Sequence, residues 1–114
     1  KALRNALDKY YPGKQVQFVF GMMGDKDMSG VIKTLIKQDD VVYTVRADEG
    51  ARAAEAADLA KLVGRNAVAE ADLATAYDAA IRGAGTDDVV CVCGSLYLVG
   101  EFKKMLLADK RGMN

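Results

Sequence analysis

Histidine is absent from all 114 residues. The commonest general base and metal ligand is therefore missing, and no metal site is expected within this chain. Charge of one sign is missing too: 16 Lys and Arg balance 16 Asp and Glu. Nothing draws the whole surface toward nucleic acid or an anionic membrane, so any anion site has to be local. No stretch approaches the roughly 18 uninterrupted apolar residues of a membrane span, and no charged-then-apolar segment at the start resembles a secretory signal. Cysteine occurs twice, at Cys91 and Cys93. Two apart in a β-rich run, they point to one face of a strand without the spacing of a zinc or redox pair. Buried thiols in a reducing, cytoplasmic setting are expected.

Repeats, low-complexity tracts and linkers are also missing, and the length suits one domain with a single core. The chain opens at Lys1, without methionine and directly in helical pattern. It reads as a piece of something larger.

What is present is an alternation of two periodicities. Leu3, Leu7 and Tyr10 recur at helical spacing until Pro12 and Gly13 stop them. Val16 to Met23 is apolar apart from Gln17 and Gly21, as suits a buried strand. Asp27 is placed to cap a helix that turns Val31, Ile32, Leu35 and Ile36 inward and ends near Lys37 and Gln38. The β-branched run Val41 to Val45 follows, then a polar loop from Arg46 to Gly50. Alanine-rich Ala51 to Leu62 predicts a helix stopped by Gly64, and Ala67 and Val68 a short strand. Asp72 caps a fourth helix with Leu73, Ala76, Tyr77, Ala80 and Ile81 inward. Val89 to Val92 is the last strand, and Leu98, Phe102, Met105 and Leu106 mark a final helix with Lys103 and Lys104 on its other side.

Alternating strands and helices predict an α/β, three-layer Rossmann-like domain, a mostly parallel sheet with helices on both faces. In such folds ligands bind where strands end and helices begin, because free N–H groups and the positive helix end face the crevice. An anion is the natural guest.

Two strand exits carry the candidate residues. The first reads Gly21-Met22-Met23-Gly24-Asp25-Lys26-Asp27. It is not a nucleotide-binding P-loop, which needs four residues between its glycines and a hydroxyl after the lysine. Lys26 is either a solvated charge paired with Asp25 or Asp27, or a cation that grips a small carboxylate beside flexible glycines. The second exit is Gly94-Ser95, where Ser95 caps the last helix, touches an anion, or does both. If the exits are neighbours, Lys26 and Ser95 converge. Arg52 is either a solvent-facing charge or a further contact opening the alanine-rich helix. Tyr97 begins an apolar run and is read as core rather than contact. Asp39, Asp40, Asp87 and Asp88 precede strands and are read as turn residues on the opposite edge.

These stretches closely resemble the C-terminal domain of folylpolyglutamate synthase / dihydrofolate synthase, in the Mur ligase superfamily. The resemblance runs through essentially the whole chain. Gly21 to Asp27 is similar to the family's G-M-x-x-D-K-D, and Gly94-Ser95-Leu96-Tyr97-Leu98-Val99-Gly100-Glu101 to its G-S-L-Y-L-V-G-E. The family's arginine maps to Arg52, with Ala51 in place of the usual preceding proline. A D-G-A-H-N-P segment lies upstream in the family, and this chain starts after it.

The resemblance implies an ATP-dependent ligase that phosphorylates a folate carboxylate, or that of dihydropteroate, and lets the amine of L-glutamate attack the acyl phosphate. ATP, Mg2+ and the P-loop belong to an N-terminal domain outside residues 1–114, and none is expected to bind this domain tightly. Lys26, Ser95 and Gly94 are the implied glutamate site, with Asp25, Asp27, Arg52 and Tyr97 in support. No catalytic residue is implied within this piece, which by itself is expected to be inactive. A non-catalytic small-molecule or interaction module on the same fold is the competing reading, because fold alone does not fix function.

Overall fold

The computed structural model describes residues 2–24, 27–47, 52–64, 66–85 and 88–112. Within them helices and strands alternate as α1 (Ala2–Tyr10), β1 (Val16–Phe20), α2 (Met28–Leu35), β2 (Val41–Thr44), α3 (Ala56–Val63), β3 (Ala67–Ala69), α4 (Leu73–Gly83), β4 (Val89–Cys93) and α5 (Leu96–Gly112). The strands form one sheet in the order β3-β2-β1-β4, and every neighbouring pair is parallel. The α/β, Rossmann-like reading holds.

Two cores sandwich that sheet. On one face Phe18, Phe20 and Val42 meet Leu7 of α1, Ile32 and Leu35 of α2 and Leu59 of α3. On the other, Val19 and Val45 meet Leu73, Ala76 and Ala80 of α4 and Leu98 of α5. β1 is buried along its whole length, as a central strand covered on both faces requires, and so its apolar run is continuous rather than alternating. Each of its phenylalanines, fully buried, contributes about 1.5–3 kcal/mol. Gln17 is the exception in that strand: its side chain is buried and its Oε1 has no hydrogen-bond partner.

The caps behave as the sequence suggests. Asp27 accepts from Gly30 N and Asp72 from Thr75 N, while Gly64 ends α3 with φ +90°. Cys91 and Cys93 lie on one face of β4, against the first core, as free thiols. Their mutual hydrogen bond and burial push the Cys93 thiol up, so it stays protonated.

Several expectations fail at element ends. The alanine-rich helix begins at Ala56 rather than Ala51, and α2 stops at Leu35. Leu3, Tyr10, Ile81 and Leu106 are exposed rather than inward, as is Val31 at the margin. Asp40 is more than a turn residue. It is 4% exposed and accepts from Arg4 Nη1 at 2.8 Å, from Val16 N at 3.2 Å and from Lys37 N at 2.9 Å. It ties α1, β1 and the end of α2 to the start of β2. Asp88 keeps the expected turn role by accepting from Gly85 N, whereas Asp87 lies outside the described residues.

The topology positions the site. From β1 the chain steps outward through α2 to β2 and through α3 to β3 on one face, then returns across the other face through α4 to β4. The winding reverses between β1 and β4, so the crevice of this sheet opens at their carboxyl ends.

Candidate functional site

The exits of β1 and β4 abut. Gly21 N donates to the Cys93 carbonyl at 3.3 Å, and Gly94 sits so close to Gly21 that a Cβ at residue 94 would collide with the Gly21 carbonyl oxygen. Gly94 also has φ +105°, a conformation that favours glycine. Both reasons fix this residue type at the joint. The adjacency of the two exits, which the sequence left open, is present.

Ser95 follows as the cap of α5. Its Oγ accepts from Tyr97 N at 3.1 Å and its carbonyl accepts from Val99 N at 3.1 Å. A capping hydroxyl keeps its own proton free to donate, so the cap and an anion contact are chemically compatible. The helix behind it places a partial positive charge at this same point. Tyr97, expected in the core, is 63% exposed and stands on the rim of the exit.

The other side of the β1 exit is closed by a clasp that the sequence did not suggest. Val45 N donates to the Phe20 carbonyl at 2.9 Å, Ala54 N to the Met22 carbonyl at 2.9 Å, and Gly24 N to the Arg52 carbonyl. Met23 and Ala53 form an antiparallel bridge between them. Arg52 therefore belongs to an extended clasp over β1 rather than to the first turn of a helix. Alanine propensity for helix lost to these hydrogen bonds between segments distant in sequence. One signal was available: Asp58 belongs in a first helical turn, which dates the start of α3 to the residues just before it.

Asp27 is committed to capping α2, and its side chain is exposed. Asp25 and Lys26 lie outside the described residues. Among the described residues, no three Asp, Glu or Cys side chains group closely enough to hold a metal ion, and no helix is long and apolar enough to cross a membrane.

A glycine-lined joint at a topological switch point, backed by a capped helix, fits an anionic small molecule. Residues 1–96 match the model of a family described as Mur ligase, glutamate ligase domain. The chain belongs to this Mur ligase family. Among known relatives of this glutamate ligase domain, the dihydrofolate synthase/folylpolyglutamate synthase of Escherichia coli is 35% identical over 98 residues, covering 86% of this chain and 23% of that protein. The bifunctional enzyme of Yersinia pestis, solved with AMPPNP and Mn, matches with a TM-score of 0.82 and 35% identity over 92% of this chain and 25% of that one. A further structure of a bifunctional folylpolyglutamate synthase/dihydrofolate synthase, with Mn, AMPPNP and L-glutamate bound, gives 0.82 and 37% over the same shares. This Mur ligase domain thus spans about a quarter of the length of these relatives. The resemblance to the C-terminal domain of folylpolyglutamate synthase/dihydrofolate synthase holds over the fold.

Proposed function

We propose that this domain positions L-glutamate for an ATP-dependent ligase that lengthens folates or builds them from dihydropteroate. The observation that carries the reading is the contact of Gly94 with Gly21, which brings the start of α5 and the exit of β1 to one point of the crevice. Ser95 donates from its hydroxyl, the first turn of α5 adds its free N–H groups, and Lys26 adds a positive charge between Gly24 and Asp27. Two hydrogen-bonding sources and one cation suit a carboxylate. The relative solved with L-glutamate, Mn and AMPPNP supports this substrate class.

The reaction is largely a problem of placement. ATP phosphorylates the carboxylate of the folate or dihydropteroate, releasing ADP. The glutamate nitrogen then bonds to the acyl carbon, the bond from carbon to the phosphate oxygen breaks, and phosphate leaves as the amine gives up a proton. Fixing the glutamate carboxylates aims the nitrogen and removes the entropy cost of its approach. Closure of the domain over the nucleotide would exclude water that otherwise hydrolyses the acyl phosphate. ATP and Mg2+ act in the remaining part of the polypeptide, so residues 1–114 alone would bind glutamate without turnover. The free thiols of Cys91 and Cys93 suit the cytoplasm as the place of work.

Glutamate kinetics of the full-length ligase test the reading. Lys26→Ala should raise the KM for L-glutamate roughly ten- to hundredfold, the worth of a charge-assisted hydrogen bond, and leave the KM for ATP unchanged. Ser95→Gly, which keeps most of a helix cap, should raise the glutamate KM as Ser95→Ala does while costing less stability. Unchanged glutamate dependence in Lys26→Ala and Ser95→Gly would overturn the assignment.

A further inference from the structure

Two thiols are left unused by the glutamate reading. Cys91 and Cys93 stand two apart on β4, in register with Phe18 and Phe20 of β1, and both turn toward the first core. Cys93 is buried, Cys91 is half-buried, and each is a free thiol. Their side chains share a hydrogen bond. Sulfurs so placed either close a disulfide or chelate an ion, and geometry decides between the two.

The strand forbids the disulfide. Neighbours on one face of a strand are about 6.6 Å apart with their Cα–Cβ bonds side by side, whereas a disulfide needs Cβ atoms about 3.5–4.5 Å apart. Closing one would bend β4 out of its ladder with β1. An ion between the sulfurs relaxes that demand, because two metal–sulfur bonds of about 2.3 Å laid end to end separate the sulfurs by about 4.6 Å. The surroundings then limit which ion fits. Zinc takes four ligands, yet the chain has no histidine, and among the described residues no third Cys, Asp or Glu groups with this pair. Hard cations take oxygen ligands, and the core these thiols join, with Leu7, Phe18, Phe20 and Leu35, is apolar. What remains is a soft cation satisfied by two sulfurs.

We propose that Cys91 and Cys93 form a two-coordinate site for Cu(I), held between their sulfurs on the face of β4 that meets the first core. Binding forms two copper–sulfur bonds, breaks two S–H bonds and passes both protons to solvent, with no electron transferred. The ion and its two thiolates carry one net negative charge. Arg4, whose positive charge reaches Cys91, offsets it. The hydrogen bond from Cys93 first, and then that charge, hold the Cys91 thiol below its ordinary value against the opposing effect of burial. Cys91 therefore supplies the first thiolate, and the bound ion displaces the proton of Cys93. Access is from the crevice side: Cys93 lines an apolar groove of ≈ 440 Å³ that continues to Gly94 and Ser95 and is walled by Leu35 and Val99.

The proposal is independent of the glutamate reading, and its test reads binding rather than turnover. Cu(I), delivered without oxygen as its acetonitrile complex, is titrated into the full-length ligase against a colorimetric Cu(I) chelator. Cys91→Ala and Cys93→Ala should each retain one equivalent fewer than the unmodified protein, because removing one of two linked ligands weakens retention by about a hundredfold or more. A second readout needs neither variant to fold. In the unmodified ligase, copper should slow alkylation of Cys91 and Cys93 by iodoacetamide together, followed peptide by peptide by mass spectrometry. Equal retention by all three proteins would overturn the proposal, as would alkylation of either thiol at the same rate with and without copper. So would retained copper that brings a dimer in sedimentation, since the two sulfurs would then belong to different copies.

Discussion

The two edges of the sheet are built from opposite materials. At the amino edge, Asp40 and Arg4 are buried and hydrogen-bonded to each other and to main chain from β1 and α2, and Arg4 Nη1 also donates to the Leu35 carbonyl at 3.0 Å. Asp8 adds an outer layer by accepting from Arg4 and Lys37. At the carboxyl edge the ion pair of Arg46 with Glu55, 3.4 Å apart, is exposed rather than buried; glycines bring backbones into contact, and helix starts face outward. Side-chain charge locks the first edge, and main-chain geometry shapes the second. A fold that closes one end with satisfied ion pairs can leave the other with hydrogen-bonding groups for a ligand. Damage at the amino edge should therefore register as lost stability and damage at the carboxyl edge as lost binding.

Asp40→Ala is the severest way to break this division. It strands the Arg4 guanidinium in a buried site and removes the acceptor for Val16 N and Lys37 N. Breaking a buried pair from one side costs about 3–5 kcal/mol, a large part of the stability of a domain this size. Urea unfolding should show that loss, with Asp40→Asn losing less because it keeps an acceptor oxygen. If the division is sound, folded Asp40→Asn in the full-length ligase keeps its glutamate KM.

Gly94→Ala attacks the other edge. Alanine at φ +105° with its Cβ against the Gly21 carbonyl combines backbone strain with overpacking, together about 2–4 kcal/mol. The expected signature is double: a lower urea midpoint, and disturbed amide resonances at Gly21 and Ser95 while those of Val16 and Lys37 stay in place. Resonances that move equally at both edges would mean the edges are one unit.

Much of this contrast was legible in the sequence, and the rest was hidden for physical reasons. The caps at Asp27, Asp72 and Ser95 are local, made within three residues, and so spacing alone reveals them. The alternation of strand and helix gives the layers. Arg4 with Asp40 spans 36 residues, and no local pattern marks such a pair. The same holds for the clasp of Met22 to Gly24 on Arg52 to Ala54, where helix propensity pointed the wrong way and hydrogen bonds between distant segments prevailed. Tyr97 misled for another reason: an apolar run at a helix start was read as core, but the first turn of α5 buries only Leu98 against the sheet, leaving Leu96 and Tyr97 exposed. Of the candidate site, the position of Gly94 and Ser95 at a strand exit ahead of a helix was legible, the adjacency of the two exits was not because strand order is set by long-range pairing, and Asp25 and Lys26 lie outside the described residues.

The mildest test separates the edges by acid. The hydrogen bond from Thr75 N holds the Asp72 carboxyl below its ordinary value at the carboxyl side, and hydrogen bonds from Arg4 and then Lys37 do the same for Asp8 at the amino side. Each carboxyl binds its proton more weakly in the native state than in the unfolded chain, so both stabilise the fold fully above the ordinary carboxylate pKa of ~4. That contribution disappears as pH falls through the lowered native values. Urea midpoints between pH 7 and about pH 3 should therefore drop for the unmodified protein. Asp72→Asn keeps a capping oxygen and starts near the same midpoint at pH 7, but should lose less on acidification because its cap no longer titrates. Asp8→Asn should likewise shrink the drop, and at pH 7 it begins lower because the ion pairs with Arg4 and Lys37 are gone. Parallel acid limbs for Asp72→Asn and the unmodified protein would show that the Asp72 cap contributes nothing to the acid sensitivity.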